Sequence, residues 1–268
     1  MKIAITGKGG VGKTTIAASL SRYYADKGYN VLAVDADPDA NLGLGLGMSE
    51  EMIAEITPIS EMRDLAEERT NHKQGTYGSL FTMNPEVSDI PEKFSREYNG
   101  VKLLTMGTVD FGGGGCVCPE HVLLKMLMTH LVLFQKDVVV MDMEAGIEHL
   151  GRGTASAVDA FIVVVEPGIR SVQTYERIKK LSADIGVKHV YAIGNKVRSE
   201  DDRAFLMERI PEDALIGLMD FRDVISASDR TNRSPYDDPA MKEAIGAIGE
   251  RIEGIIQKNK AEKEEAHQ

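Results

Sequence analysis

Short apolar runs alternate along the chain with longer stretches in which apolar residues recur at helical spacing. Runs of strand length occupy residues 2–6, 30–35, 101–106, 137–142, 160–165, 189–193 and 214–218. Helical spacing covers residues 16–24, 121–134, 171–185 and 240–258. Continuous apolar strands separated by helices are typical of mostly parallel sheets with helices on both faces. The pattern therefore predicts a single α/β domain over residues 1–258.

Two regions depart from this pattern. Residues 42–100 show no clear alternation and are predicted to be a surface insertion, with a close-packed turn at 42–47 and helical spacing at 50–68. Residues 259–268 are mostly charged or polar and have no apolar face, which predicts a disordered tail.

Composition and charge exclude several classes of protein. Hydrophobic residues make up 43% of the 268 and charged residues 27%, as in ordinary soluble domains. The net charge of −11 disfavours a nucleic-acid partner, because such proteins usually carry a basic excess. No apolar run reaches membrane-spanning length, the chain opens directly into a strand, and two cysteines are too few for a disulfide framework. We therefore expect a cytoplasmic protein with no membrane or nucleic-acid partner.

The most specific motif lies between the first strand and the first helix. Residues Gly7 to Thr15 read G-K-G-G-V-G-K-T-T, which contains the G-x-x-x-x-G-K-T spacing of a phosphate-binding P-loop. Glycines let backbone N–H groups approach an anion closely, and the start of the helix adds partial positive charge. The residues expected to hold ATP and Mg²⁺ are Gly9, Gly10, Val11, Gly12, Lys13, Thr14 and Thr15. Lys13 is predicted to reach the β- and γ-phosphates, and the Thr14 hydroxyl to bind Mg²⁺.

Acidic residues end two of the predicted buried strands. Asp37, followed by Pro38, comes just after the run at 30–35, and Asp142 ends the run at 137–142. Carboxylates at the carboxyl ends of such strands point into the crevice where α/β sheets bind ligands. Both are therefore candidate catalytic residues beside the P-loop.

A candidate base contact follows the strand at 189–193. Asn195 and Lys196 begin the sequence N-K-V-R, and an asparagine amide can pair with N6 and N7 of adenine. Guanine-specific P-loop proteins have an aspartate at the fourth position, where it grips N1 and N2 of the base. Arg198 stands there in this chain, so ATP is predicted in preference to GTP.

The two cysteines lie close together in a glycine-rich loop. Cys116 and Cys118 follow four consecutive glycines and precede Pro119. In an extended segment, residues i and i+2 project to the same side, so the two thiols are presented together. Two thiolates supply half of a four-coordinate site, and a two-fold axis would supply the other half from a second copy of the chain. This predicts Ni²⁺ or Zn²⁺ at a homodimer interface; a buried structural pair and a redox couple are the alternatives.

Lys8 makes the P-loop unusual, because it follows the first glycine directly. This form resembles the deviant P-loop of the dimeric ATPases that include MinD, ParA and the nitrogenase iron protein. The extra lysine of that family reaches across the dimer interface to the partner's nucleotide, which implies the same role for Lys8. The resemblance also implies that Asp37 orients the attacking water, that Asp142 holds Mg²⁺ through water, and that Gly146 senses the γ-phosphate.

The remaining motifs narrow the resemblance. With the Cys-x-Cys pair and the sequence D-M-E-A-G-I-E-H-L that begins at Asp142, nearly the whole chain resembles the CooC/AcsF family of nickel-insertion ATPases. That resemblance implies an ATP-hydrolysing homodimer whose client is carbon monoxide dehydrogenase or acetyl-CoA synthase. Two alternatives stay open, an electron-transfer ATPase like the nitrogenase iron protein and a positioning switch like MinD or ParA.

Overall fold

The computed structural model describes residues 1–71, 82–107, 118–144, 157–187 and 189–265. Its strands are β1 (Lys2–Gly7), β2 (Val31–Ala36), β3 (Arg96–Tyr98), β4 (Val101–Thr105), β5 (Val138–Met143), β6 (Ala160–Val165), β7 (Val190–Val197) and β8 (Leu215–Asp220). They form one sheet in the order β3-β4-β2-β5-β1-β6-β7-β8. All neighbours pair in parallel except β3 and β4, which are antiparallel.

The described ranges also contain ten α-helices. They are α1 (Lys13–Asp26), α2 (Leu42–Leu46), α3 (Glu50–Ala54), α4 (Arg63–Thr70), α5 (Ile90–Phe94), α6 (Pro119–Leu133), α7 (Ile169–Asp184), α8 (Glu200–Arg209), α9 (Asp223–Asp229) and α10 (Pro239–Glu265). All seven strands and all four long helices predicted from the hydrophobic pattern are present, with shifted ends.

Both faces of the sheet are covered by helices. Successive side chains of a strand point to opposite faces. Ile3 and Ile5 of β1 accordingly belong to a core cluster that contains side chains of α1, α2 and α10. Ala4, between them, belongs to a second cluster with side chains of α6 and α7. This confirms the predicted single α/β domain and explains why its central strands are apolar on both faces along most of their length.

The turn predicted at residues 42–47 is wrong, because α2 occupies Leu42–Leu46. Gly47, with a φ of 91°, ends this helix in the left-handed conformation that glycine adopts easily. A Cβ on Gly45 would lie 3.0 Å from the Ala18 Cβ of α1. The glycines in this stretch therefore permit two helices to pack closely, which sequence spacing alone does not distinguish from a turn.

The stretch predicted as a surface insertion also packs into the core. Ile59, Ala66 and Ile90 are fully buried in the same cluster as Leu123 and Leu127 of α6. Its elements are short, so their apolar residues form no periodic pattern over a long window. This layer supports α6, the helix that follows the cysteine loop.

The C-terminal helix is longer than predicted. α10 continues through Glu265, so the expectation of a disordered tail is wrong for residues 259–265. Alanine, lysine and glutamate favour helix, and the Nζ of Lys258 lies 3.9 Å from Oε1 of Glu262, one turn away. Although α10 has 27 residues, neither it nor any other helix in the described ranges is apolar enough over a sufficient length to cross a membrane.

Candidate nucleotide site

The P-loop joins β1 to α1, and close contacts require glycine at two of its positions. A Cβ on Gly7 would lie 2.6 Å from the carbonyl oxygen of Val164, and one on Gly12 would lie 2.4 Å from Nδ2 of Asn195. The φ angles of these glycines are 147° and 97°, where side chains are strained. Glycine at these two positions therefore allows the loop to pack against β6 and β7.

Lys13 and Asp37 are brought together as an ion pair. Lys13 begins α1 and is buried, and its Nζ lies 3.6 Å from Oδ2 of Asp37. The other oxygen of Asp37 accepts the backbone N–H of Asp39 at 3.1 Å. Burial strengthens the attraction between opposite charges. A phosphate bound in the loop would therefore compete with Asp37 for the Lys13 ammonium group.

Asp142 fits the role of a magnesium-holding residue. Its side chain is fully buried, and neither carboxylate oxygen accepts a hydrogen bond of good geometry from a described residue. Burial raises the pKa of Asp142 to about 6, although the nearby Thr14 hydroxyl and Lys13 ammonium favour the charged form. Oxygen donors of this kind are the ligands that Mg²⁺ prefers. Thr14 and Asp142 are therefore the residues that would hold Mg²⁺, directly or through water.

Asp35 is a site residue that the sequence analysis missed. It pairs in register with Asp142 on the neighbouring strand and is buried. Its carboxylate accepts the backbone N–H groups of Leu42 at 2.8 Å and Asp37 at 3.3 Å. Burial, with a contribution from Asp142, raises the pKa of Asp35 to about 7. Asp35 thus anchors the loop that carries Asp37. The feature of the sequence that could have identified it is its position as an acidic residue at the end of the apolar run 30–35.

Asn195 and Lys196 both contact the P-loop backbone. Nδ2 of the buried Asn195 donates a hydrogen bond to the carbonyl oxygen of Val11 at 2.8 Å. The ammonium group of Lys196 donates a hydrogen bond to the carbonyl oxygen of Gly10. The two residues that were predicted to meet the base therefore also fix the position of the loop. The side-chain oxygen of Asn195 is left as an acceptor suited to the N6 amino group of adenine.

A cleft of about 690 Å³ adjoins the end of β7. Its lining residues are Val197, Arg198, Ser199, Glu200, Arg203, Asp220, Phe221 and Asp223. The Arg198 guanidinium lies over the Phe221 ring, with Cζ 3.6 Å from the ring centroid. Pockets for small ligands have this size, and flat cationic and aromatic groups provide stacking surfaces for a base.

Of the other predicted site residues, the structure describes Lys8 and Cys118 but not Cys116 and Gly146. Lys8 is partly exposed and forms no ion pair within the described residues. Cys118 precedes α6 and is also partly exposed. Cys116 and Gly146 lie outside the described residues. Within the parts of the chain that the structure covers, no three histidine, cysteine, aspartate or glutamate side chains group as a metal site.

Comparisons with known proteins agree with this geometry. The family model of the CobQ/CobB/MinD/ParA nucleotide binding domain matches residues 2–238. The carbon monoxide dehydrogenase accessory protein CooC of Rhodospirillum rubrum is 47% identical over 249 residues, covering 92% of this chain and 94% of CooC. An ATP-binding protein of Methanocaldococcus jannaschii is 45% identical over 242 residues, covering 90% of this chain and 88% of that protein. The MinD structure of Aquifex aeolicus superposes with a TM-score of 0.64 at 20% identity, covering 95% of this chain and 98% of MinD.

The P-loop held between β6 and β7, with buried acids at the ends of β2 and β5, defines a P-loop ATPase of the MinD/ParA type. Within that class, the chain belongs to the family of CooC-type ATPases.

Replacing Asp142 by asparagine is expected to stabilise the nucleotide-free protein and to abolish Mg²⁺-dependent hydrolysis. The folded-state pKa of Asp142, about 6, is raised above its unfolded value, so the wild type loses stability as pH rises from about 4 through about 6. Asparagine removes that buried charge, and we expect a gain of about 1–2 kcal/mol near pH 8 but little near pH 4. Urea unfolding at both pH values measures the difference. Asp39→Asn, at an exposed site, serves as control; lower stability of Asp142→Asn at pH 8 would contradict the prediction.

Proposed function

We propose that this protein is an ATP-dependent metallochaperone that delivers nickel to carbon monoxide dehydrogenase or acetyl-CoA synthase. The observation that carries the proposal is the 47% identity to CooC over nearly the full length of both chains. The protein works as a homodimer that closes on ATP, with the metal held between the Cys-x-Cys motifs of two copies. Four thiolates from two chains complete a coordination sphere that either chain alone leaves half empty.

Hydrolysis in this proposal begins with a change of partner at Lys13. The phosphates draw its ammonium group from Asp37, whose carboxylate is then available to orient water for attack on the γ-phosphorus. Thr14 and Asp142 would hold Mg²⁺, which neutralises phosphate charge when bound. Lys8 reaches the nucleotide of the other copy and stabilises the charge of the transferring phosphoryl group. Loss of the γ-phosphate opens the dimer and releases the metal to the client enzyme.

The alternatives explain fewer features of the chain. An electron-transfer ATPase like the nitrogenase iron protein would hold an iron–sulfur cluster between subunits, but the two cysteines of that protein are far apart in sequence. A positioning switch like MinD or ParA leaves the cysteine pair without a role. The likeness to solved MinD and ParA structures, at 14–20% identity for the examples from Aquifex aeolicus and Chlorobium tepidum, supports the shared fold alone.

Nickel activation of the two client enzymes tests the proposal. Apo carbon monoxide dehydrogenase and apo acetyl-CoA synthase are each incubated with Ni²⁺, with and without this protein and Mg-ATP. We expect at least one of them to be activated at nickel concentrations that are ineffective without the protein, and only when ATP is hydrolysed. Activation of neither enzyme would contradict the proposal, and an iron–sulfur absorption spectrum in anaerobically purified protein would favour electron transfer.

ATP is expected to bind more tightly than GTP. The carboxylates of Glu200 and Asp220 line the cleft at the end of β7, but both pair with Arg203, at 3.5 and 3.0 Å. Both carboxylates are thus occupied by Arg203 and do not accept hydrogen bonds from a base. Arg198 has only hydrogen-bond donors, and it stands where N1 and N2 of guanine would also present donors. Calorimetric titration with both nucleotides measures the preference, and equal affinities would contradict it. Phe221→Ala should weaken the binding of both nucleotides if the base stacks in the cleft.

A further inference from the structure

The tip of the P-loop is a tight turn that begins at Lys8. The backbone N–H of Val11 donates a hydrogen bond to the carbonyl oxygen of Lys8 at 3.4 Å, which closes a turn over residues 8–11. Gly10 stands at the third position with a φ of 78°, where a type II turn needs a positive angle. Beyond the chain neighbours, a Cβ on Gly9 or Gly10 would meet no atom of a described residue within 4 Å. The tip of the turn is therefore not held by packing against these two glycines.

Two consecutive residues of β7 hold this turn by its carbonyl groups. The ammonium group of Lys196 donates a hydrogen bond to the carbonyl oxygen of Gly10. Nδ2 of Asn195 donates one to the carbonyl oxygen of Val11 at 2.8 Å. Neighbouring residues of a regular strand point to opposite faces of the sheet, so a regular β7 would not direct both side chains to one loop. The pairing of β7 with β8 shifts register across these two residues, and an irregularity of this kind redirects side chains.

The backbone of Lys196 is in an unfavourable conformation where it makes this contact. Its φ of 59° lies in the left-handed region, which few residues other than glycine, asparagine and aspartate adopt. Within the described ranges, three of the other four non-glycine residues with a positive φ are asparagines. The fourth is Ala40, in the loop that follows Asp37. Strained backbone is concentrated at functional sites, and the conformation of Lys196 therefore indicates a role in the nucleotide site beyond pairing in the sheet.

We propose that Lys196 is a positioning residue, which holds the turn of residues 8–11 so that Lys8 reaches the nucleotide of a second copy; this rests on the role of Lys8 in the proposed function. Two adjacent glycines give the turn wide conformational freedom, and the bond to the Gly10 carbonyl restricts it two residues from Lys8. Precise placement matters, because a misplacement of about 1 Å can lower a rate about 10²-fold. Lys196 thus serves the site of the partner copy, although it lies beside the site of its own chain.

Replacing Lys196 by asparagine removes the ammonium group and keeps a residue that tolerates a positive φ. We expect Lys196→Asn to lower the turnover of ATP about 10²-fold with little change in ATP affinity, because Lys13 still holds the phosphates. Single-turnover hydrolysis and nucleotide titration measure the two quantities, and urea unfolding shows whether the variant is folded. The control is Lys258→Asn, the same substitution on the exposed surface of α10, which should leave turnover unchanged.

Mixing inactive variants shows which site Lys196 serves. A mixed dimer of Lys196→Asn and Asp37→Asn has one complete site under the proposal, since one chain supplies Asp37 and the other a correctly held Lys8. We therefore expect this mixture to recover activity. A mixture of Lys196→Asn with Lys8→Ala has no correctly held Lys8 for either site and should stay inactive. If Lys196 instead served the nucleotide of its own chain, the two results would be exchanged.

A reference mixture of Lys8→Ala with Asp37→Asn separates this proposal from the role of Lys8 itself. If the reference mixture recovers activity but Lys196→Asn with Asp37→Asn does not, the positioning role is wrong and the role of Lys8 in trans stands. Near-wild-type turnover of Lys196→Asn, or a loss of ATP affinity that accounts for its whole defect, would likewise overturn the positioning role alone. No recovery in the reference mixture would overturn both roles and leave nickel delivery to be judged by client activation.

Discussion

The Lys8→Ala variant is expected to bind ATP with nearly wild-type affinity and to lose hydrolysis by roughly 10³–10⁵-fold. Lys13 stays in place to hold the phosphates, so binding is preserved. Lys8 is partly exposed and unpaired within the described residues, so its charge is available to a second copy. A cation supplied to the transition state from a partner contributes to the rate and little to ground-state binding. Single-turnover hydrolysis and nucleotide titration separate the two effects.

A mixing experiment shows whether Lys8 acts across the interface. Asp37→Asn is expected to be inactive in its own site while it keeps Lys8. A mixed dimer of Lys8→Ala and Asp37→Asn then has one complete site, with Lys13 and Asp37 from one chain and Lys8 from the other. Activity should reappear on mixing two inactive variants. Near-wild-type turnover of Lys8→Ala alone, or no recovery on mixing, would contradict the role in trans.

The local parts of this site were predictable from sequence. The P-loop is contiguous, and its spacing with the flanking strand and helix specifies both structure and ligand. Seven strands of the doubly covered sheet were found because each contains a continuous run of mostly apolar residues, whereas β3, with the sequence R-E-Y, has no such run and was not predicted. The position of Asp37 beside the P-loop was predicted, because acids at the carboxyl ends of parallel strands meet that loop at the same edge of the sheet; its ion pair with Lys13 is a finding of the structure.

Contacts between distant segments were not predictable. Asn195 and Val11 are separated by 184 positions, and no periodicity relates them. The same holds for Asp35, whose importance comes from its register with Asp142 and from the loop N–H groups that it accepts. The short helices after residue 42 were not predicted for another reason. Helix propensity summed over only five residues carries little information.

Two adjacent buried carboxylates are unfavourable for folding. Their presence in this protein is explained by their position in the nucleotide site. Asp35 and Asp142 face each other on paired strands, and burial raises the pKa of both. A core without a ligand would place apolar residues there. Their presence indicates that the ligand-free protein is less stable because these carboxylates are placed where a cation and phosphate bind, as is common in functional sites.

The metal content of the protein is expected to be one Ni²⁺ or Zn²⁺ for every two chains, and metal should promote dimerisation. One copy supplies two thiolates, from Cys116 and Cys118, whereas a closed four-coordinate site needs four. Metal and dimer must then stabilise each other by the same free energy. Binding should weaken as pH falls, because the ligands must be deprotonated.

Variants of the cysteine pair give the sharpest test of the shared metal site. Cys116→Ser and Cys118→Ser should each abolish tight metal binding and metal-driven dimerisation while leaving nucleotide binding largely intact. His121, in the first turn of α6, is the matched control: His121→Ala should keep the ratio of one metal to two chains. Metal analysis combined with analytical ultracentrifugation, with and without ATP, measures both quantities. A tightly bound metal on each monomer, or unchanged affinity in both serine variants, would exclude the shared site and return the pair to a structural or redox role.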